Sequence, residues 1–325
     1  MTDQIKLFQE KLNAELAKME FGKKPTELYE PLRYTLRQGG KRMRPILAVM
    51  AYLTKKQDWE SIIAPALSIE LFHNFTLIHD DIMDEAPLRR GKETVYKKWD
   101  SNIAILSGDA LMILAYDLML EADYDDIKYL IKLFNRCVVE VCEGQQMDMN
   151  FETIDTVPEE DYIEMIKLKT SVLLGYSLEM GALLAGMTKE QALKLREFGI
   201  NIGIGFQLKD DLLDVYGDTA KVGKQIGGDI ISNKKTMLLL KALELADEKT
   251  KEDLDDLIAA TDFDPVKKVD SVKAIYAQLG IKEIAEEKMK YYFDLGFKQL
   301  VELKDEDLNL DPLIAFTQAL IDRDH

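Results

Sequence analysis

The residues in this chain best placed to do chemistry are two clusters of carboxylates. Asp80-Asp81-Ile82-Met83-Asp84 ends an apolar run, and Asp210-Asp211-Leu212-Leu213-Asp214 repeats the pattern far downstream after another apolar stretch. On a helix, residues four apart share a face with a rise of about 6 Å, so Asp80 and Asp84 align while Asp81 lies about 100° round. Like charges at that spacing repel. A cation is needed to hold them, and hard oxygen donors with no thiolate nearby favour Mg²⁺, which binds through a few carboxylates plus substrate phosphates. Two such clusters around one cavity would collect more negative charge than can stand without metal ions and basic partners. The ligand that calls for several Mg²⁺ ions and several Lys or Arg is a diphosphate or triphosphate.

The basic partners are local. Lys41-Arg42-Met43-Arg44 follows Gly39-Gly40 and precedes Pro45, which a first helical turn tolerates, so this segment is a candidate anion cradle. Arg89-Arg90-Gly91-Lys92 begins a polar loop after Pro87. The glycine-rich stretch Gly217 to Asp229 carries Lys221 and Lys224, and Lys234 and Lys235 follow it. No GxxxxGK[ST] motif follows a strand, which argues against a P-loop, and neither an EF-hand loop nor a His/Cys zinc cluster is present. The three histidines are His73, His79 and His325. His73 lies seven residues before Asp80 on nearly the same face, and reads as a core residue unless an anion sits above the metal site.

Helical periodicity supplies the elements that carry these residues. Ile5 to Met19 and Glu27 to Gln38 form two amphipathic helices, and a long helix from about Trp59 to Asp84 delivers the first carboxylates. Further helices cover Ile103 to Leu120 and Asp125 to about Phe151, the second with Gln145 and Asp148 three apart on one face. Tyr162 to Ala185 carries Lys169-Thr170, Gln191 to Tyr216 brings the second carboxylates, and Glu244 to Asp324 is helical by pattern. Thr94 to Trp99 is the nearest approach to a strand. The fold class is therefore all-α, a single domain over 1–325 built as one large helical bundle around a central cavity.

Composition excludes several function classes. A net charge of −17, from 42 Lys plus Arg against 59 Asp plus Glu, argues against nucleic acid as a partner. Cys137 and Cys142 fall on different faces of a helix and read as reduced thiols of a cytoplasmic protein. The N-terminus lacks a signal-peptide pattern, and the apolar run Ser171 to Met187 contains Glu179 and is short for a span, so no transmembrane segment is expected.

Together these motifs resemble the trans-isoprenyl diphosphate synthases, the head-to-tail prenyltransferases that include farnesyl and geranylgeranyl diphosphate synthases. Gly40-Lys41-Arg42-Met43-Arg44-Pro45 resembles the family's GKxxRP motif, and Asp80 to Asp84 with Arg89-Arg90-Gly91 its first aspartate-rich motif. Gly144-Gln145-Gln146-Met147-Asp148 resembles GQxxD, and Lys169-Thr170 the KT pair. Gly205-Phe206-Gln207-Leu208-Lys209-Asp210-Asp211 resembles the second aspartate-rich motif, and Lys224 and Lys234 sit where the family has trailing lysines. Ser232-Asn233 departs from the glycine many relatives carry there. A class I terpene cyclase would carry a different second metal motif, and a non-catalytic synthase-like subunit would have lost motif residues.

The resemblance implies Mg²⁺, three ions with substrate bound, chiefly on Asp80, Asp84 and Asp210, with Asp81, Asp211 and Asp214 completing the candidate ligand set. It implies that Arg89, Lys169, Thr170, Gln207, Lys224 and Lys234 bind the allylic diphosphate. Lys41, Arg44, His73 and Arg90 would bind isopentenyl diphosphate. Gln145, Asp148 and Phe206 support the site, and a homodimer is expected. Phe72, Phe75 and Thr76 would set product length, because the growing chain extends along the helix beneath Asp80. An aromatic residue five before the motif, a small one four before it and no insertion within it resemble a geranylgeranyl (C20) more than a farnesyl (C15) synthase. Phe75→Ala is expected to lengthen the product, and mass spectrometry showing an unchanged chain would sink the ruler reading.

Overall fold

Phe8, Leu12 and Leu16, one turn apart, are buried along a single face of α1 (Thr2–Lys18). The computed structural model describes residues 2–154, 156–217, 227–303 and 307–322, with side chains from residue 4 onward. After α2 (Thr26–Arg37), helix α3 (Met43–Leu53) starts with Pro45 in its first turn. The helix expected from Trp59 begins as a 3₁₀ turn, Trp59–Ile62, and continues as α4 (Ile63–Met83).

Two short strands follow, β1 (Leu88–Arg89) and β2 (Lys92–Glu93), paired antiparallel. Their two-residue turn is Arg90-Gly91, with φ of 53° and 73°, and two left-handed central residues match the twist of a tight hairpin. This hairpin stands where a polar loop was expected. The strand-like stretch Thr94 to Trp99 is instead helical, as α5 (Val95–Lys98), because the Lys98 and Trp99 N–H groups donate back to the Thr94 and Val95 carbonyls.

Helix α6 (Ser101–Leu120) is capped by Asp100, whose side chain accepts from Ile103 N at 2.8 Å. Then come α7 (Ile127–Thr153), α8 (Glu159–Ile166), a π turn over Lys167–Ser171, α9 (Val172–Leu184) and α10 (Lys189–Tyr216). The remaining helices are Gly228–Ile231, Met237–Leu245, Glu248–Ala259, Pro265–Leu279, Ile281–Glu302 and Asp311–Ile321.

Cα proximity divides the chain into two compact units. The first comprises Met1–Leu133, Ser177–Leu193 and Asp305–Ile314, the second Phe134–Tyr176, Lys194–Lys304 and Ala315–His325. In the first, α4 packs chiefly on α6, with Leu71, Phe72, Leu111, Ala115 and Met119 wholly buried. Gly108 of α6 permits this contact, since a Cβ there would stand 2.4 Å from His79 Nε2. In the second, Tyr162, Met165 and Ile166 of α8 pack with Ile204 and Leu208 of α10, while Leu212 and Val215 at the end of α10 join a cluster with Leu238 and Tyr276. By length and composition, Trp59–Met83 and Ser101–Leu120 are apolar enough to cross a membrane. The first has 61% of its apolar window buried and the second 33%. Cys137 and Cys142 are free thiols.

Candidate functional site

In the first unit the carboxylates occupy the end of α4. Asp84 caps the helix, Glu85 adopts φ 48°, and the Glu85 and Ala86 N–H groups donate to the carbonyls of Ile82 and Asp81. These two bonds are the Schellman closure of a helix, with a non-glycine residue in the left-handed position. The cluster therefore lies at the negative end of the helix dipole, where carboxylates are least welcome. Asp80 is half-buried and Asp84 exposed. Asp81, on the other face, is buried, and its Oδ1 accepts from Arg89 Nε at 2.7 Å. Burial raises the Asp81 carboxyl above its usual range, against the pull of Arg89.

The hairpin sends its two arginines to different places. Arg89 in β1 reaches Asp81, whereas Arg90 in the turn donates to the Gly39 carbonyl, and Gly40 leaves room for its guanidinium, which would stand 3.0 Å from a Cβ there. Lys41 is exposed. Arg44 Nη1 lies 3.1 Å from His73 Nε2, and burial, then the charges of Arg44, Arg90, Arg89 and Arg42, hold the His73 pKa well down. A neutral imidazole accepts from Arg44 through Nε2 and carries its proton on Nδ1.

The arginine between those cations, expected as part of the candidate anion cradle, is instead turned into the protein. Arg42 is 4% exposed and adopts φ 51°. Its guanidinium donates to Asn13 Oδ1 at 3.0 Å, Glu70 Oε1 at 2.5 Å and the Leu36 carbonyl at 2.9 Å. This buried ion pair ties the start of α3 to α4 and fixes the backbone from which Lys41 and Arg44 project. A lone Glu70 within the apolar run of α4 was the available signal, since a fully buried carboxylate needs a cation.

Below Asp80, the Phe75 ring packs at a tilt 4.6 Å from His79 and 5.7 Å from Phe72, which is wholly buried. Thr76 Oγ1 donates to the His73 carbonyl within the same helix.

In the second unit the second cluster ends α10. Asp210 is exposed, while Asp211 is buried and accepts from the Tyr162 hydroxyl at 2.5 Å. Burial pushes Asp211 up to about 7, opposed by hydrogen bonds from Tyr162 and Gln207. Asp214 accepts from Asp229 N at 2.9 Å through Oδ2 and from Gly227 N at 2.7 Å through its carbonyl, clasping the returning chain. Tyr162 is a partner that nothing in the sequence pattern identified. Asn233 explains the departure noted before Lys234: its φ of 54° is a conformation glycine or asparagine tolerates, and its side chain donates to the Ile258 carbonyl and accepts from Lys268. Lys234 Nζ lies 4.0 Å from Asp229 Oδ1. Lys221 and Lys224 lie outside the described residues.

The π turn presents Lys169, whose Nζ donates to Asp148 Oδ2 at 2.5 Å, and Thr170 beside it is half-buried. Gly144 permits that approach, because a Cβ would stand 2.1 Å from Lys169 N. Phe206 packs edge-on to Phe293 at 5.6 Å. Among the described residues, no three His, Cys, Asp or Glu side chains converge closely enough to hold a metal ion by themselves.

The polyprenyl synthetase family profile matches residues 25–279. The chain belongs to the polyprenyl synthetase family. It is similar to the geranylgeranyl pyrophosphate synthase of Geoglobus acetivorans, 38% identical over 99% of this chain and 98% of that protein. It is 43% identical to a short chain isoprenyl diphosphate synthase of Methanocaldococcus jannaschii over 71% of each. The crystal structure of geranylgeranyl pyrophosphate synthetase from Pyrococcus horikoshii superposes with a TM-score of 0.91 at 33% identity, covering 99% of this chain and 98% of that one. This polyprenyl synthetase is thus a short-chain, head-to-tail prenyltransferase of a divalent-metal-dependent family.

Asp211 makes the stability of this synthetase depend on pH. Between about pH 4 and pH 7 the native carboxyl keeps a proton that the unfolded chain releases, so the native state binds more protons and stability falls as pH rises through that window. Asp211→Asn is expected to flatten this decline in urea unfolding of the metal-free protein between pH 4 and 8. An unaltered slope would show that Asp211 titrates normally.

Proposed function

We propose that this chain condenses isopentenyl diphosphate with an allylic diphosphate to give geranylgeranyl (C20) diphosphate, and that Phe75 and Phe72 limit the chain. The observation that carries the reading is the end of α4, where Asp80 and Asp84 follow Phe75, whose ring is in tilted contact with Phe72. An isoprene unit spans about one helical turn, so the aromatic pair lies at successive unit depths.

Asp80, Asp84, Asp210 and Asp214 are the carboxylates we assign to Mg²⁺, with three ions when substrate is bound. Asp81 and Asp211 are assigned to support, since each is buried and bonded within the protein. When bound, the ions neutralise the diphosphate and stabilise the charge that develops on it as a leaving group. Arg89, Lys169, Thr170, Gln207, Lys224 and Lys234 hold the allylic diphosphate; Lys41, Arg44, His73 and Arg90 hold isopentenyl diphosphate. The allylic C–O bond breaks with both electrons leaving on oxygen. The double bond of isopentenyl diphosphate then supplies the pair for the new C–C bond, and the proton lost from the adjacent carbon goes to the released diphosphate. Phe72, Phe75 and Phe206 keep water from the cation, which would otherwise be quenched to an alcohol.

The free thiols suit a reducing cytoplasmic compartment. A homodimer is supported by α6. Leu106, Ile113 and Leu120 recur every seven residues and are 60%, 62% and 58% exposed, with Ile105 beside them at 42%. A seven-residue apolar stripe is the pattern with which helices pair, and a second copy of the chain is the occupant we assign to it.

Incubating the protein with isopentenyl diphosphate, Mg²⁺ and allylic diphosphates of C5, C10 and C15 is expected to give a C20 product by mass spectrometry. EDTA should abolish turnover, and a product that stops at C15 or runs beyond C20 would overturn the length assignment. Leu106→Asp combined with Ile113→Asp is expected to halve the mass seen by sedimentation, and an unaltered mass would remove α6 from the interface.

A further inference from the structure

Lys268, in the second unit, occupies a place that suits a lysine poorly. It is 3% exposed and is the fourth residue of helix Pro265–Leu279, near the positive end of the helix dipole. It forms no ion pair with a carboxylate among the described residues. Its Nζ donates instead to a neutral acceptor, Asn233 Oδ1, at 2.6 Å, and lies 4.3 Å from the centre of the Phe263 ring. Burial pulls the ammonium below its usual range. A methionine would fill much the same space without burying a charge, so this lysine works against stability.

What it holds is a strained link in the chain. Asn233 adopts φ 54°, a left-handed conformation that is costly for any residue with a Cβ. Its side chain is engaged at both ends, Nδ2 donating to the Ile258 carbonyl at 3.0 Å while Oδ1 accepts from Lys268. Lys234 follows directly and is exposed, with its N–H donating to the Asp229 carbonyl at 2.9 Å. The other end of this short segment is braced by the next residue of the same helix. Val269 packs against Gly227, where a Cβ would stand 2.6 Å from its Cγ2, and the Gly227 and Asp229 N–H groups both donate to Asp214. Helix Pro265–Leu279 thus grips the segment at Asp214 through Val269 and at Lys234 through Lys268, and so sets the distance between them.

We propose that Lys268 and Asn233 are positioning residues that aim Lys234 at the allylic diphosphate. The two hydrogen bonds on the Asn233 amide hold the left-handed backbone, and that backbone sets the direction in which Lys234 leaves the chain. Glycine would adopt the same conformation with no side chain to pin. The assignment rests on the reading of Lys234 as a diphosphate ligand.

The test compares Lys268→Met, Asn233→Gly, Asn233→Ala, the Asn233→Gly/Lys268→Met double variant and Lys234→Ala with wild type. Each is measured by steady-state kinetics with Mg²⁺, isopentenyl diphosphate and geranyl diphosphate, and by hydrogen exchange of the metal-free protein over residues 228–236. Lys268→Met is expected to lower kcat/KM for geranyl diphosphate about tenfold, the order set by an unsupported left-handed residue, and to speed exchange in that segment. The KM for isopentenyl diphosphate, whose assigned ligands lie in the first unit, is expected to hold. In the Asn233→Gly background the same lysine substitution is expected to change neither kcat/KM nor exchange, because glycine needs no pin. Asn233→Ala keeps the Cβ but loses both bonds, so it is expected to match Lys268→Met, and it reads the brace even where Lys268→Met does not fold. An unaltered kcat/KM or exchange in Lys268→Met, an equal loss in the glycine background, or a parallel rise in the KM for isopentenyl diphosphate would each overturn the brace. A wild-type KM for geranyl diphosphate in Lys234→Ala would overturn the ligand reading itself, whereas a raised KM there with no effect of Asn233→Ala would remove only the positioning role.

Discussion

Carboxylates gathered at the C-terminal end of a helix face two repulsions at once, from one another and from the partial negative charge of the last carbonyls. This chain accepts that arrangement twice. Asp80, Asp81 and Asp84 close α4, and Asp210, Asp211 and Asp214 close α10. Each end is then secured by backbone geometry rather than by charge. The Schellman bonds at Glu85 and Ala86 hold the first, and the clasp of Gly227 and Asp229 on Asp214 holds the second. What the arrangement leaves over is a demand for cations, which a metal-dependent diphosphate chemistry meets.

The two motifs share an internal division of labour that follows from helical geometry. The second aspartate lies about 100° from the first, so when the first and last point outward the middle one is turned into the protein. There it becomes a fixing point: Asp81 receives Arg89, and Asp211 receives Tyr162. One bond attaches the arginine-bearing hairpin to α4, and the other attaches α8, which leads into the Lys169 turn, to α10. The same residues that add charge to each cluster thus anchor the elements that carry Arg89 and lead into Lys169.

Local pattern revealed α1, where one face is apolar and the other wet, and the long apolar runs that became α4 and α10. It missed the features that depend on single backbone conformations. Arg90 and Gly91 form a tight turn because both adopt left-handed φ, and an arginine there carries no such signal in its composition. Thr94 to Trp99 reads as extended because Val95 and Tyr96 favour strands, but one helical turn satisfies its backbone through the Lys98 and Trp99 N–H groups. The π turn at Lys167–Ser171 interrupts what periodicity treats as one helix from Tyr162 to Ala185.

The sequence by itself determined the chemistry on offer: which carboxylates recur at four-residue spacing, which lysines and arginines follow them, and that helices carry them. Those properties are set by residue type and local periodicity, and both are written along the chain. Tertiary structure decided how each group is used. It buried Asp81 and Asp211 while leaving Asp84 and Asp210 exposed, made His73 a neutral acceptor for Arg44, and locked Arg42 onto Glu70. It also enclosed the Gln145 amide with no hydrogen-bond partner among the described residues. Burial and pairing come from residues distant in sequence, so an aspartate's role as ligand or anchor is decided only when the helices pack.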